Sequence, residues 1–263
     1  MKKILIFLML LSTNLMATEI TVIISGKPGG SFFDRSQMYI ESLKIKGYDV
    51  KVDNIGNISQ SVHAFKKTSN PTIMVFSNNH AAVNNLPHNK ENFILLEYVD
   101  PLFLCGSADF VRDPKIAYSK SFPKKNLVQL LNDQGISNPK MVPYKNSGAM
   151  LKAILVGEVD FMISTQSKSL QYLKYNKGIC HAQTSNKTFL NIPPFKTEHE
   201  VLPILHATVI GKNINHQIKN DIRAISQNKE FKEYRFKNKI NEVDNDYNSQ
   251  LKHVQQHENI WKF

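Results

Sequence analysis

Arginine is nearly missing from this chain of 263 residues: Arg35, Arg112, Arg223 and Arg235 are the whole supply among 33 basic residues. Side chains that read bases favour the arginine fork. A formal charge of +11 carried by scattered lysine therefore argues against a nucleic-acid partner. Cysteine is scarcer still. Cys105 and Cys180 can make neither a disulfide framework nor a four-cysteine zinc site, and their spacing leaves open whether they pair. The 11 glycines and 11 prolines are too few for a collagen-like or low-complexity chain, and 41% hydrophobic with 21% charged residues is too apolar for disorder. Long hydrophobic runs are also absent. The apolar stretch Ile4 to Leu11 is eight residues, against roughly 20 for a membrane-spanning helix.

That stretch has a different meaning. Lys2 and Lys3 precede it, and Ser12-Thr13-Asn14 then Leu15-Met16-Ala17 follow, which is the anatomy of an export signal cut after Ala17. Its removal takes two of the 33 basic residues and none of the 22 acids, lowering the charge from +11 to +9. The remaining length suits two lobes, each with a core of its own.

Past the signal, strands and helices alternate. Ile20 to Ile24 reads as a buried strand, Gly26 to Gly30 as a break, and Ser31-Phe32-Phe33-Asp34 as a capping box opening a helix to about Lys46. A strand alternates through Tyr48, Val50 and Val52. Ile58, Val62 and Phe65 mark a helix, and Thr72 to Phe76 a third strand ending at Ser77-Asn78-Asn79-His80. The pattern returns with a strand at 139–144, a helix carrying Met150, Leu151 and Ile154 to Gly157, and a strand at 159–163 ending at Ser164-Thr165. A helix from about Ser169 and a strand at 179–182 follow; residues 202–210 read as a strand returning to the first lobe, and Asn213 onward as a helix. This alternation predicts an α/β fold with parallel sheets in two lobes.

In such sheets ligands bind beyond the carboxyl ends of the strands. Gly29, Gly30 and Ser31 bare backbone N–H groups at a positive helix start. Asn146, Ser147, Gly148 and Ala149 repeat the device beside the charge of Lys145. Two such starts across a cleft suit a dicarboxylate. Enzyme signatures are mostly missing: there is no G-x-S-x-G, H-E-x-x-H, Walker loop or dinucleotide fingerprint. His253 and His257 are i,i+4 but read as a solvated helix face without a third ligand, so no metal is expected. Asp34 and Asp160 could form an acid–base pair, although capping and a strand turn explain each first.

The stretch Lys27-Pro28-Gly29-Gly30-Ser31-Phe32-Phe33-Asp34 resembles the P-x-G-G-x-x-D loop of the Bug, or tripartite tricarboxylate transporter, solute receptors. Val142-Pro143-Tyr144-Lys145-Asn146-Ser147-Gly148-Ala149, running to Val159-Asp160, resembles their V-P-Y-K-G-x-G-x-A…G-x-V-D segment. Asn146 replaces the family's glycine, and Asn70-Pro71-Thr72-Ile73 replaces its P-D-G-Y; the chain reads as a divergent member, shortened toward the C-terminus, where the closing helix would be trimmed.

The resemblance implies a two-lobed periplasmic-binding-protein type II-like fold with an interlobe ligand cleft. Residues 18–103 with 205–263 would form lobe I and 104–204 lobe II. It implies a monomeric, non-catalytic, cofactor-free periplasmic receptor that closes on a small carboxylate and hands it to membrane transporter subunits. Carried over by position, the ligand contacts fall on Gly29, Gly30, Ser31, Asp34 and Tyr144 to Ala149, with Ser77, Asn78, Ser164 and Thr165 added from the fold and Lys27 and Lys145 supplying attraction. Two other readings stay open: a hydrolase or transferase using Asp34 or Asp160, and a polyanion-binding surface at Lys232 to Lys239.

Overall fold

The computed structural model describes residues 17–28, 31–109, 111–175, 178–185, 191–197, 204–237, 240, 243, 246–258 and 260. Of the expected features, the signal up to Met16, the loop glycines Gly29 and Gly30, and Lys239 lie outside them. No helix among the described residues is long and apolar enough to cross a membrane.

The chain runs twice through one plan. In the first pass β1 (Glu19–Ile24), α1 (Ser31–Ile45), β2 (Asp49–Asn54), α2 (Ile58–Lys67) and β3 (Thr72–Ser77) give three parallel strands in the order β2-β1-β3. The short α3 (Asn78–Val83) leaves the end of β3. In the second pass β5 (Lys115–Ser119), α4 (Lys124–Asp133), β6 (Lys140–Tyr144), α5 (Ser147–Leu155) and β7 (Phe161–Thr165) give the order β6-β5-β7. Then α6 (Gln166–Lys174) leaves β7, and β8 (Ile179–Gln183) pairs with β4 (Phe93–Gly106).

β4 joins the two passes. Residues 93–101 pair antiparallel with β9 (Ile204–Lys212), which itself lies against β3, whereas residues 102–106 pair with β7 and β8. Partners therefore change between Pro101 and Leu102. Each half has its own core. Ile20, Val22, Ile24, Tyr39 and Leu43 pack with Ile218, Ile222 and Ile225 of α7 (His216–Ser226) in one; Leu104, Ile116, Leu127, Leu131 and Phe161 pack together in the other. Burying each such side chain contributes roughly 1.5–3 kcal/mol.

The element boundaries have local causes. Asn57, Asn146 and Asn215 each accept a hydrogen bond from the amide three residues on, capping α2, α5 and α7. Gly157, at φ +74, ends α5 in the left-handed region. The strand expected at 159–163 begins two residues later. Asp160 is tied to the Lys115 backbone by its own amide and its carboxylate, so the ladder starts at Phe161. The helix after it starts at Gln166, directly behind Thr165, rather than at Ser169.

The C-terminal residues are helical. α8 (Lys229–Lys237) follows α7, and α9 (Tyr247–Glu258) packs Leu251 and Val254 against Phe93 and Leu96 of β4. Glu258 Oε1 accepts from the His88 amide at 2.9 Å and pairs with its Nδ1 at 2.5 Å; His88 Nε2 meets Thr208 Oγ1 at 2.7 Å. Glu, His and Thr in line resemble a catalytic relay. All three are buried, so the line fastens α9 to β9 away from the cleft.

Candidate functional site: the cleft between the lobes

A cleft of about 600 Å³ opens where the carboxyl ends of the parallel strands from both halves meet. Such a volume fits a small molecule. The first half contributes Phe32 and Asp34 after β1, with Ser77, Asn79 and His80 after β3. The second contributes Ser119, Ser121 and Phe122 after β5, Lys145, Asn146 and Ser147 after β6, and Thr165, Gln166 and Lys168 after β7. Tyr98 and Asp100 of β4 complete the floor with Leu205 to Ala207 of β9 and Tyr234 of α8.

Asp34, Ser77, Lys145, Asn146, Ser147 and Thr165, singled out from the sequence, thus come together. Ser31 starts α1. Lys27, Tyr144, Gly148 and Ala149 do not line the cleft, nor do Asn78 and Ser164. Each exclusion but those of Lys27 and Gly148 has a visible cause. The Tyr144 hydroxyl donates to Glu158 at 2.8 Å, and the Ala149 amide donates to Asn146 Oδ1 at 2.9 Å, so that amide serves the cap. Ser164 is fully buried in β7. Asn78 is also fully buried, and its amide holds β9.

The two carboxylates behave differently. Asp34 is exposed in the first turn of α1 and makes no hydrogen bond or ion pair among the described residues. Asp160 lies at the start of β7, at the end opposite Thr165, and the two acids of the hydrolase reading do not meet. Asp100, which sequence reasoning missed, is half-buried. Its Oδ1 accepts from the Gln166 amide at 2.9 Å, the first amide of α6. Burial pushes its carboxyl up to about 7, against the opposing pull of that amide and of nearby Arg35. Arg35 itself is buried in an ion pair with Glu97 and stacks 4.7 Å from the Tyr98 ring, beneath the cleft floor.

Ser77 and His80 place a hydroxyl 2.7 Å from an imidazole Nδ1, a nucleophile–base distance. Burial lowers the His80 pKa to about 4, which makes it a weak base, and Ser77 Oγ is also bound to Asn79 Oδ1 at 2.5 Å. Among the described residues, nothing in the cleft assembles nucleophile, base and orienting acid.

The histidine pair of α9 is not the solvated face that sequence suggests. His257 is buried, and His206 of β9 joins it and His253, with ring centroids 4.5–4.8 Å apart and candidate ligand atoms within 4.8 Å of one another. The helix packs Leu251 and Val254 on β4 and so turns its histidines inward, against the imidazole of β9. The Asn78 amide then decides the chemistry. Its Oδ1 accepts from the Asn79 and His206 amides, so its Nδ2 faces the Ile204 carbonyl and His206 Nδ1. His206 Nδ1 must accept, and Nε2 carries the hydrogen. A neutral His206 has no lone pair left for a cation, and the group is a packed histidine cluster rather than a three-nitrogen metal site.

No protein-family model matches the chain, and no curated protein matches it. Solved structures do. The periplasmic binding protein BugD aligns over 93% of this chain and 95% of its own, with TM-score 0.67 and 15% identity. MatC from Rhodopseudomonas palustris with bound malate aligns over 93% and 97%, with TM-score 0.63 and 12% identity. An R. palustris protein with adipate aligns over 93% and 95%, with TM-score 0.67 and 14% identity. At these identities the likeness concerns the fold, and on that point it is plain: this chain has the two-lobed α/β fold of the type II periplasmic binding proteins.

Proposed function

We propose that the protein is a non-catalytic receptor that captures a small carboxylate between its lobes and delivers it to a membrane transporter. The observation that carries this reading is the interlobe cleft, where strand ends from both lobes supply hydroxyls, amides and the exposed ammonium of Lys145. Gly29, Gly30 and Ser31 would add the N–H groups opening α1, with the other motif positions shaping the loops around them. The division of the sequence into residues 18–103 with 205–263 and residues 104–204 belongs to this reading, with β4 changing partners between Pro101 and Leu102. Structural relatives hold malate and adipate in their own structures, which supports a ligand of that size and charge. Export to the periplasm would follow from the N-terminal signal reading and would give the Cys105–Cys180 disulfide an oxidising compartment.

Thermal-shift screening of the purified protein against di- and tricarboxylates, amino acids and phosphonates tests the reading. A ligand at 100 times its dissociation constant adds about 2.7 kcal/mol. Absence of any carboxylate-dependent shift, in protein shown to be free of co-purified ligand, refutes it.

A further inference from the structure

Ionic groups in the cleft are balanced, two acids against two bases. Asp34 from the first half and Asp100 from the crossing strand are the acids; Lys145 and Lys168, both from the second half, are the bases. His80 is held neutral by burial. A receptor for a plain dicarboxylate would gain nothing from two carboxylates in its site, since each repels the ligand across a partly desolvated space.

Asp100 is the more telling of the two. Helix starts in this architecture are expected to hold the ligand's carboxylate. At α6 the protein's own Asp100 takes that position, accepting the Gln166 amide through Oδ1. Its Oδ2 accepts no hydrogen bond among the described residues, and Asp100 lines the cleft. A carboxylate brought half out of water with one oxygen unmatched is stabilised by a cation placed beside it.

We infer that the cleft selects a carboxylate that also carries an ammonium group, with Asp100 receiving the ammonium and the lysine-bearing second half receiving the carboxylate. The inference rests on the receptor reading above and names its substrate class. Asp34, exposed and without a partner among the described residues, supplies a second acid for ligands whose ammonium stands further from the carboxylate.

Matched pairs that differ by one ammonium test it: succinate against aspartate, glutarate against glutamate, butyrate against 4-aminobutyrate. Affinities are measured by calorimetry on protein freed of co-purified ligand, at pH 8, where Asp100 is ionised. For at least one pair the ammonium-bearing member should bind about tenfold tighter or better, as a charge-assisted contact predicts. Asp100→Asn keeps an oxygen for the Gln166 amide and removes the charge. It should erase that preference while the partner acid binds as before or better. Lys145→Gln should weaken both members of the pair together. Dicarboxylates that bind without any ammonium preference, or a preference that survives Asp100→Asn, overturn the inference and leave the receptor reading standing. Failure of every carboxylate to bind overturns both.

Discussion

The two halves of the molecule share a β-α-β-α-β plan with matching strand orders, yet they hand the cleft different groups. Of its three parallel strand ends, the first half presents those of β1 and β3 among the described residues. The second presents all three of its parallel strand ends, through Ser119, Lys145 to Ser147, and Thr165 to Lys168. They are also held together differently. The first half buries the Arg35–Glu97 ion pair under its cleft wall and is covered by α7 and α9. The second joins β4 to β8 through the Cys105–Cys180 disulfide. A repeated sheet therefore fixes where the site is, while loop chemistry and local fastenings decide what each side contributes.

The largest expected effect breaks the fastening of the first half. Glu97→Ala leaves the Arg35 charge buried beside the Tyr98 ring, and a denaturant melt should show a loss of about 3–5 kcal/mol. A loss under about 1 kcal/mol would mean that the pair does not anchor this half. Replacing both Cys105 and Cys180 by alanine acts on the second half. The bridge closes a sequence separation of 75 residues, so the cost should approach about 4.5 kcal/mol in the chain-entropy account and fall between about 2 and 4 in practice. An unchanged midpoint would show that β4 and β8 hold without it.

Acid should separate the regions further. Burial, then mutual repulsion, puts His206 well below the ordinary 6.5 and takes His253 to about 4, and burial also lowers His257. Between 6.5 and about 4 the unfolded chain takes up protons that the folded cluster refuses, so the docking of α9 loses stability as pH falls. Asp100 runs the other way. Its folded pKa, raised from 3.8 to about 7, makes its contribution most favourable below 3.8 and loses it as pH rises through 7. Hydrogen exchange followed from pH 7 to pH 4 should show α9 amides opening first. His206→Phe, which removes one titrating ring, should blunt that response; equal opening in both proteins would contradict the assignment.

The smallest effect sharpens the comparison most. Asn146→Ala and Asn215→Ala each remove a helix cap and should cost about 1 kcal/mol. Only the Asn146 variant should also weaken ligand binding, because α5 starts in the cleft and α7 does not. Equal effects on affinity would deny the second half its larger share of the site.

Much of this was legible from residues. Period-two and buried strands at 20–24, 48–52 and 72–76, and the loops at Lys145 to Ser147, carry local signals that the structure keeps. β4 carries none that is usable. Glu97, Asp100 and Pro101 interrupt its apolar pattern, and its partners are set by topology alone. Asp100 was hidden for the same reason, lying on a crossing strand rather than in a loop after a parallel one. Ser119, Ser121 and Lys168 obey the strand-end rule that found Ser77 and Thr165, but β5 itself was not placed and α6 was started three residues late. His206 precedes His253 by a long stretch of chain, and only the packing of α9 on β9 makes them neighbours.

The change of partners along β4 gives Asp100 a second significance. It is the residue before Pro101, the last position paired with β9, and two before Leu102, the first paired with β7. Those three residues carry the chain from the sheet of one half to the sheet of the other. The acid proposed to receive the ligand's ammonium therefore sits at the crossing. A residue that changes sheets within two positions is held by both halves at once, and Asp100 is held in that way, by its place in β4 and by the Gln166 amide of α6.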